Sequence, residues 1–154
     1  MNVKLGDLLS EAQIILNLRA ADRWEAIDEL VACLVQAGGV KPEDRDAVVG
    51  AVRKREFSMS TGIGAGVGVP HASTALVHKP VAAFGRSQNK INFESLDGKP
   101  VSLVILFLVP QGQIQQHLHT MSGIAKLMQK PDLREALESA PDAQAILQII
   151  KGSQ

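Results

Sequence analysis

The ten-residue run VSLVILFLVP, Val101 to Pro110, constrains the fold more than any other part of this sequence. Apart from Ser102, every residue in it is apolar. Successive side chains of a strand point to opposite faces of a sheet, so the run predicts a strand that is covered on both faces. It is also far shorter than the roughly 20 residues that a membrane-spanning helix requires. We therefore expect it to be the central strand of an α/β protein.

Segments with helical periodicity alternate with short strand-like segments along the rest of the chain. The helical pattern occurs in five places, residues 24–35, 42–52, 113–129, from 131 and 143–152. The strand-like segments are QIILNL, VGVPH and PVAAFGRS. Strands interleaved with helices predict an α/β fold, here a mixed and mostly buried sheet with helices on both faces. We expect residues 1–154 to form a single domain, a length that suffices for a buried core.

The charge balance argues against two classes of partner. Lys plus Arg number 16, as do Asp plus Glu, and the aromatic residues are four Phe and one Trp. Without a basic surplus or a set of stacking rings, we expect neither nucleic-acid binding nor insertion into a membrane. The first residues carry charges and lack an apolar signal core, so we expect a cytoplasmic protein. Cys33 is the single cysteine, and we expect a buried, inert thiol.

The stretch STGIGAGVGVPHAS, Ser60 to Ser73, contains the clearest functional pattern. Glycines at four alternate positions precede Pro70 and His71. Bare backbone allows main-chain N–H groups to approach an anion, and proline stiffens the strand end that delivers the imidazole. The loop lacks the Gly-Lys-Ser/Thr of a nucleotide-phosphate loop and the spacing of a dinucleotide fingerprint. Two interpretations follow: a tight strand entry with an incidental histidine, or a nucleophilic imidazole that receives phosphoryl from another protein.

The other three histidines differ in their expected surroundings. At about 100° per residue, His117 lies about 40° from the centre of an apolar stripe, whereas His119 lies about 160° away. The stripe consists of Ile114, Leu118, Met121, Ala125 and Met128. His117 is thus either a core-edge residue or a functional one, and His78 is expected at the surface. Histidines two apart on a helix cannot hold one ion together, so we expect no metal site and no cofactor.

A cluster of cations precedes the glycine loop. The segment RKREFSMSTG begins with Arg53, Lys54 and Arg55. Phosphoryl transfer depends mainly on positioning and on stabilisation of negative charge, which an arginine can supply. The alternative is a solvated helix end, where cations are favoured by the helix dipole.

Two motifs together resemble those of a known family. KREFSMSTGIGAGVGVPH is similar to the active-site signature of the enzyme IIA domains of the fructose/mannitol class of the bacterial phosphotransferase system. QHLHTMSGIAKLM resembles the second signature of these domains. Its HLHT segment is similar to the corresponding segment of the nitrogen-regulatory branch. The likeness spans nearly the whole chain and implies the fold of these domains. The sequence departs from many relatives at Ala72, which stands in place of Gly, and at Ala65, which replaces a frequent Asn.

The resemblance also implies roles for individual residues. His71 corresponds to the phosphorylated histidine, and Arg55 to the arginine that offsets phosphate charge. His117 corresponds to the histidine that opens the second motif and would lie beside His71. The remaining implied residues would line the phosphate pocket, namely Ser60, Thr61, Gly64 and Gly66.

What the resemblance implies in function is a phosphocarrier. Such a protein takes phosphoryl from the phosphohistidine of HPr, or of its nitrogen-branch paralogue, and passes it to a cysteine of a IIB domain. Association with a membrane permease would then decide the sugar. A regulatory member would instead signal by its phosphorylation state. A third hypothesis is a passive module that binds small anions and is never phosphorylated.

Overall fold

A single mixed sheet lies at the centre of the protein. The computed structural model describes residues 4–153, apart from the side chains of Ile114 and Gln116, and within that part six strands form the sheet. The strands are β1 (Ile14–Ile15), β2 (Gly62–Gly64), β3 (Val67–Gly68), β4 (His71–Thr74), β5 (Val81–Ile91) and β6 (Val101–Pro110).

Strand β6 is the central strand, as its apolar sequence predicts. All ten of its residues are buried. The antiparallel strand β5 pairs with one edge of β6, whereas β3 and β4 pair in parallel with the other edge, one after the other. Strand β1 extends the sheet beside β5, and β2 extends it beside β3.

Helices cover both faces of the sheet, which confirms the expected fold class. They are α1 (Leu5–Leu8), α2 (Arg23–Gln36), α3 (Arg45–Ser58), α4 (Ile114–Met128), α5 (Pro131–Ser139) and α6 (Ala143–Gly152). One apolar core contains side chains of α2 and α3, and the other contains side chains of α1, α4, α5 and α6. Side chains of β6 alternate between the two cores, which is why this strand is apolar on both faces.

Local signals explain where several elements begin and end. The Asp22 carboxylate accepts a hydrogen bond from the backbone N–H of Glu25 at 2.8 Å and so caps the start of α2. The same helix is followed by Gly38 at φ +85°, the left-handed conformation of a helix stop. The helix expected from Pro42 begins instead as a 3-10 turn, Pro42–Asp44, that leads into α3. The segment QIILNL forms only the two-residue strand β1.

Candidate functional site

His71 is positioned by an interruption between two strands that lie end to end along the same edge of β6. Strands β3 and β4 both pair with β6, and Pro70 lies between them, where it has no N–H to donate. The Pro70 carbonyl still accepts a hydrogen bond from the backbone N–H of Phe107 at 3.1 Å. Strand β4 therefore begins at His71, in register with Phe107.

A main-chain hydrogen bond fixes which ring nitrogen of His71 carries the proton. Nδ1 lies 2.8 Å from the carbonyl oxygen of Val69. A carbonyl oxygen can only accept, so Nδ1 is the donor. In a neutral imidazole the lone pair then belongs to Nε2. The ring is thus prepared to act as a nucleophile through one defined atom.

Three rings pack together at the site. The His71 ring stacks on Phe107 with centroids 5.0 Å apart and an interplanar angle of 12°. The His117 ring, from the first turn of α4, lies 5.0 Å from His71 and 5.7 Å from Phe107 in tilted arrangements. Close ring packing of this kind restricts the rotation of each imidazole. The structure therefore brings together the two histidines that the motifs pair.

Burial keeps the His71 ring neutral. Only 3% of the residue is exposed. Desolvation lowers the pKa of His71 from 6.5 to about 4; its hydrogen bond to Val69 opposes the shift, and the charges of Arg55 and His117 add to it. The pKa of His117 is also lowered, first by desolvation and then by Arg55. Near neutral pH, His71 therefore has the unprotonated Nε2 that nucleophilic attack requires.

Arg55 is the member of the basic cluster that reaches the histidines. It lies in the last turn of α3, and its Nη1 donates to the carbonyl of Met59 at 2.8 Å. Its positive charge lowers the pKa of both His71 and His117. Arg53 is engaged elsewhere, since its Nη2 lies 2.6 Å from Asp28 Oδ2, and Lys54 is exposed. The alternative of a purely solvated helix end therefore applies to Lys54 and not to Arg55.

Helix α4 points His117 inward and His119 to solvent, as the periodicity predicts. The predicted stripe is nevertheless wrong in one member, because Leu118 is 61% exposed. The buried residues of the helix recur at spacings of four, three and one instead, namely Thr120, Ile124, Leu127 and Met128. His117 continues that series one turn earlier. The side chain of Ile114, which the stripe also included, lies outside the described residues.

Ser60 and Thr61, expected to line a phosphate pocket, use their hydroxyl groups internally. Ser60 Oγ donates to the carbonyl of Phe93 and accepts from the backbone N–H of Gly62 at 3.1 Å. Thr61 is 3% exposed, and its Oγ1 donates to Glu56 Oε1 at 2.5 Å. Both hydroxyl groups therefore donate to acceptors within the protein.

Gly64 and Gly66, the other residues expected in that pocket, are not brought to the histidines. Gly64 ends β2 and Gly66 lies in the turn that leads to β3, where its carbonyl accepts from the backbone N–H of Leu103 at 3.1 Å. Leu103 precedes Phe107 by four residues on β6, a separation of about 13 Å along a strand. The N–H of Ala65 in this turn donates to Asp97 Oδ2 at 2.9 Å. The turn thus lies at a different level of the sheet from His71, and the assignment of Gly64 and Gly66 to a phosphate pocket stays a prediction.

Two structural features explain why glycine occupies these positions. Gly64 and Gly66 adopt φ of +95° and +80°, which the tight turn requires and which glycine accepts without strain. Gly68 lies against the Phe93 ring, and a Cβ there would come within 2.8 Å of a ring carbon. Alternating glycines thus reflect turn geometry and close packing.

Sequence reasoning missed two residues of the site. Glu56, which directly follows Arg55 in the first motif, is a buried carboxylate at 1% exposure that accepts from Thr61. Its position in the motif was the available signal. Phe107, the stacking partner of His71, is one apolar residue among ten in β6. Only the register of β4 on β6 identifies it.

Two further findings apply to residues 4–153 alone. No cluster of three or more His, Cys, Asp or Glu side chains in this range could hold a metal ion. No helix in this range has the length and apolarity needed to cross a membrane.

His78 and His119 are exposed, as expected. The Cys33 thiol is only partly buried; burial and the charge of Glu29 raise its pKa, which favours the unreactive thiol form.

Comparison with known proteins identifies relatives over nearly the whole chain. Residues 7–153 match the family model described as phosphoenolpyruvate-dependent sugar phosphotransferase system, EIIA 2. The fructose-specific EIIABC component of Bacillus subtilis is 39% identical over 148 residues, which are 96% of this chain but 23% of that protein. The chain thus spans about a quarter of that relative. A nitrogen regulatory protein of Bradyrhizobium diazoefficiens is 33% identical, over 94% of this chain and 92% of that protein.

Solved structures of the same fold are also similar. The nitrogen regulatory protein IIA-Ntr of Neisseria meningitidis superposes with a TM-score of 0.86 at 29% identity, over 95% of this chain and 98% of that one. Enzyme IIA-mannitol of Escherichia coli, solved in complex with phosphorylated enzyme IIB-mannitol, gives a TM-score of 0.78 at 23% identity, over 94% and 97% of the two chains. The second likeness shows the fold alone.

Proposed function

The chain belongs to the EIIA 2 family of the phosphoenolpyruvate-dependent sugar phosphotransferase system, and on that premise we propose that it is a histidine phosphocarrier in which His71 accepts the phosphoryl group. One observation carries this proposal. The His71 ring is buried and neutral, and its Nδ1–H is held by the Val69 carbonyl, so its nucleophilic lone pair is at Nε2. The donor is an HPr-type phosphohistidine protein.

The transfer needs no cofactor and no net proton exchange with water. His71 Nε2 attacks phosphorus and forms a new N–P bond, while the N–P bond of the donor breaks. The donor nitrogen keeps the electron pair of the broken bond, and the donor leaves as a neutral imidazole because its other ring nitrogen carries a proton. His71 retains its Nδ1–H throughout, because the Val69 carbonyl remains its acceptor. Transfer to a IIB cysteine thiolate reverses these steps at Nε2 and forms an S–P bond.

Arg55 and His117 would stabilise the charge on the transferred group. Phosphoryl transfer spreads negative charge over three equatorial oxygens, and fixed donors nearby lower its barrier. The Arg55 charge acts on both imidazoles. Among the described residues, His117 Nδ1 is a buried ring nitrogen without a hydrogen-bond partner. A phosphoryl oxygen on His71 would supply that partner.

Exposed apolar side chains beside the site support a protein partner as donor and acceptor. Leu118 directly follows His117 and is 61% exposed, and Met59, whose carbonyl Arg55 contacts, is 66% exposed. We name these two residues the apolar rim. Exposed large apolar groups around a buried reactive atom are typical of a docking surface.

The direct test is labelling by phospho-HPr. The wild-type protein is expected to take up a phosphate that is labile in acid and stable in base, as a phosphohistidine is. His71→Gln is expected to take up none, because it removes the only nucleophilic atom of the proposal. His78→Gln and His119→Gln are matched controls, since both remove an exposed histidine. Retained labelling of His71→Gln would contradict the assignment, and unlabelled wild type would favour a passive anion-binding module.

A regulatory role is the second candidate, and one observation favours it. The nitrogen regulatory protein of Bradyrhizobium diazoefficiens is 33% identical over 94% of this chain, and IIA-Ntr of Neisseria meningitidis has the same fold with a TM-score of 0.86. A chase experiment separates the two roles. Phosphorylated protein that transfers its label to the cysteine of a purified IIB domain is a transport component. Label that stays on the chain in the presence of IIB indicates a regulatory member.

A further inference from the structure

A buried carboxylate lies beneath the site on the same helical turn as Arg55. Glu56 is 1% exposed and receives three hydrogen bonds. Its Oε2 accepts from the backbone N–H of Thr61 at 2.9 Å and from Arg23 Nη1 at 3.2 Å, while its Oε1 accepts from Thr61 Oγ1. Three donors on one buried carboxylate fix the Thr61 peptide and side chain together.

Hydrogen bonds continue from Thr61 to the reactive ring. The carbonyl of Thr61 accepts from the backbone N–H of Val69 at 2.9 Å. The carbonyl of Val69 in turn accepts from His71 Nδ1 at 2.8 Å. The path from Glu56 to the imidazole is therefore unbroken, and each link is a hydrogen bond or a single residue. We call these four residues, Glu56, Thr61, Val69 and His71, the relay.

We propose that Glu56 is a positioning residue, which holds the Val69 carbonyl where it selects the Nδ1–H tautomer of His71. Glu56 acts through Thr61 and Val69 and does not touch the phosphoryl group. This inference rests on the proposed function, since a nucleophilic Nε2 matters only if His71 is phosphorylated. A carboxylate that served stability alone would change the free energy of unfolding and leave the His71 tautomer unaltered.

Three variants along the relay separate these roles. Glu56→Leu removes both acceptors of Thr61. Glu56→Gln retains them in modified form, because its amide oxygen can accept from the Thr61 N–H and its NH2 can donate to the Thr61 hydroxyl. Thr61→Val removes only the hydroxyl bond at nearly constant shape, and it serves if Glu56→Leu does not fold. Asp28→Asn is the matched control, because it weakens the other ion pair between α2 and α3, Arg53–Asp28.

Two measurements are made on each folded variant. The first is the imidazole 15N spectrum of His71 without phosphate, which reports the protonated nitrogen. The second is the rate of labelling by phospho-HPr. Glu56→Leu is expected to populate the Nε2–H tautomer and to slow labelling roughly ten- to a hundredfold, because a small misplacement of a reacting group has effects of that size. Thr61→Val is expected to change both the tautomer and the labelling rate in the same direction, but by less. Glu56→Gln and the control Asp28→Asn are expected to stay close to wild type in both measurements.

The outcomes distinguish this inference from the proposed function. Wild-type protein that takes no label would contradict the proposed function, while the 15N spectra would still test the relay. Folded Glu56→Leu or Thr61→Val with a wild-type His71 tautomer would overturn the positioning role. A Glu56→Gln variant that loses labelling with its tautomer unchanged would also overturn it, because the carboxylate charge would then act directly.

Discussion

At the scale of single residues, the role that we propose for His71 imposes two opposing requirements. An attacking imidazole must be neutral, whereas the phosphorylated product carries negative charge that needs cationic neighbours. Burial meets the first requirement by lowering the pKa of His71, and Arg55 contributes to both, since its charge disfavours protonation of the ring and favours the phosphoryl oxygens. In the proposed transfer, the same guanidinium would therefore act before and after the step.

The lowered pKa of His71 predicts a pH dependence of stability. The folded-state pKa of about 4 lies below the ordinary 6.5, so the unfolded chain binds more protons between these values and stability falls as the pH falls through them. From about pH 7.5 to about pH 5 the loss from this group is about 2 kcal/mol. Urea unfolding of wild type and His71→Gln over this range measures it.

The comparison with His71→Gln isolates one group, because the carboxylates titrate equally in both proteins. The stability difference between wild type and variant is expected to shift in favour of the variant as the pH falls. A difference that stays constant over this range would contradict the lowered pKa.

The sequence alone predicts the residues of the proposed site but not the residues that support them. The motifs identify His71 and Arg55, and helical periodicity turns His117 inward. Phe107 could not be predicted, because its contact depends on the parallel register between β4 and β6, which no local pattern determines. Ser60 and Thr61 were expected at the phosphate because a hydroxyl in a motif does not reveal whether its partner is a ligand or a buried carboxylate.

At the scale of elements, the glycine loop shows how one pattern allows several causes. Glycine is favoured where φ is positive, where packing is close and where a ligand approaches the backbone. The sequence alone does not distinguish these three causes. Here the turn between β2 and β3 explains Gly64 and Gly66, and Phe93 explains Gly68. The prediction that Gly64 and Gly66 line a phosphate pocket depends on ligand approach alone, and it stays a prediction.

Glycine-to-alanine substitutions at two positions are expected to have opposite effects. Gly68→Ala places a Cβ 2.8 Å from the buried Phe93 ring and should destabilise the protein by roughly 1–3 kcal/mol through overpacking. Gly50→Ala lies on the exposed side of α3, where no described atom lies within 4 Å of the new Cβ. It should stabilise by roughly 0.5–1 kcal/mol, because alanine favours a helix interior. Chemical denaturation of both variants checks the signs, and a neutral Gly68→Ala would contradict the packing argument.

At the scale of the whole molecule, the fold follows from patterns that extend over many residues. The apolar run of β6 requires cover on two faces, and the helical segments on either side of it supply that cover. Family membership inferred from the two motifs is likewise confirmed by the match over residues 7–153. The short strands β1, β3 and β4 were harder to predict, since each pairs with β5 or β6, which is distant in the chain. The single domain over residues 1–154 stays a prediction.

The apolar rim predicts how a partner docks. Leu118→Asp places a charge on an exposed position beside His117 and should reduce kcat/KM for labelling by phospho-HPr roughly tenfold, chiefly through KM. Ala47→Asp, also exposed but eight residues before Arg55 on α3, adds the same charge about 12 Å away and should have little effect. Steady-state labelling measures both. Equal rates for the two variants would contradict docking at the rim.

The oxygen that orients the His71 ring belongs to the main chain of residue 69, and this affects how the protein can evolve. Every amino acid supplies that oxygen, so a codon change at Val69 cannot delete it, whereas a side-chain acceptor could be lost in one step. Selection therefore acts on the path of the backbone and not on the chemical identity of residue 69. Substitution at this position is therefore limited by the space around its buried side chain, which is 1% exposed, and not by loss of the acceptor.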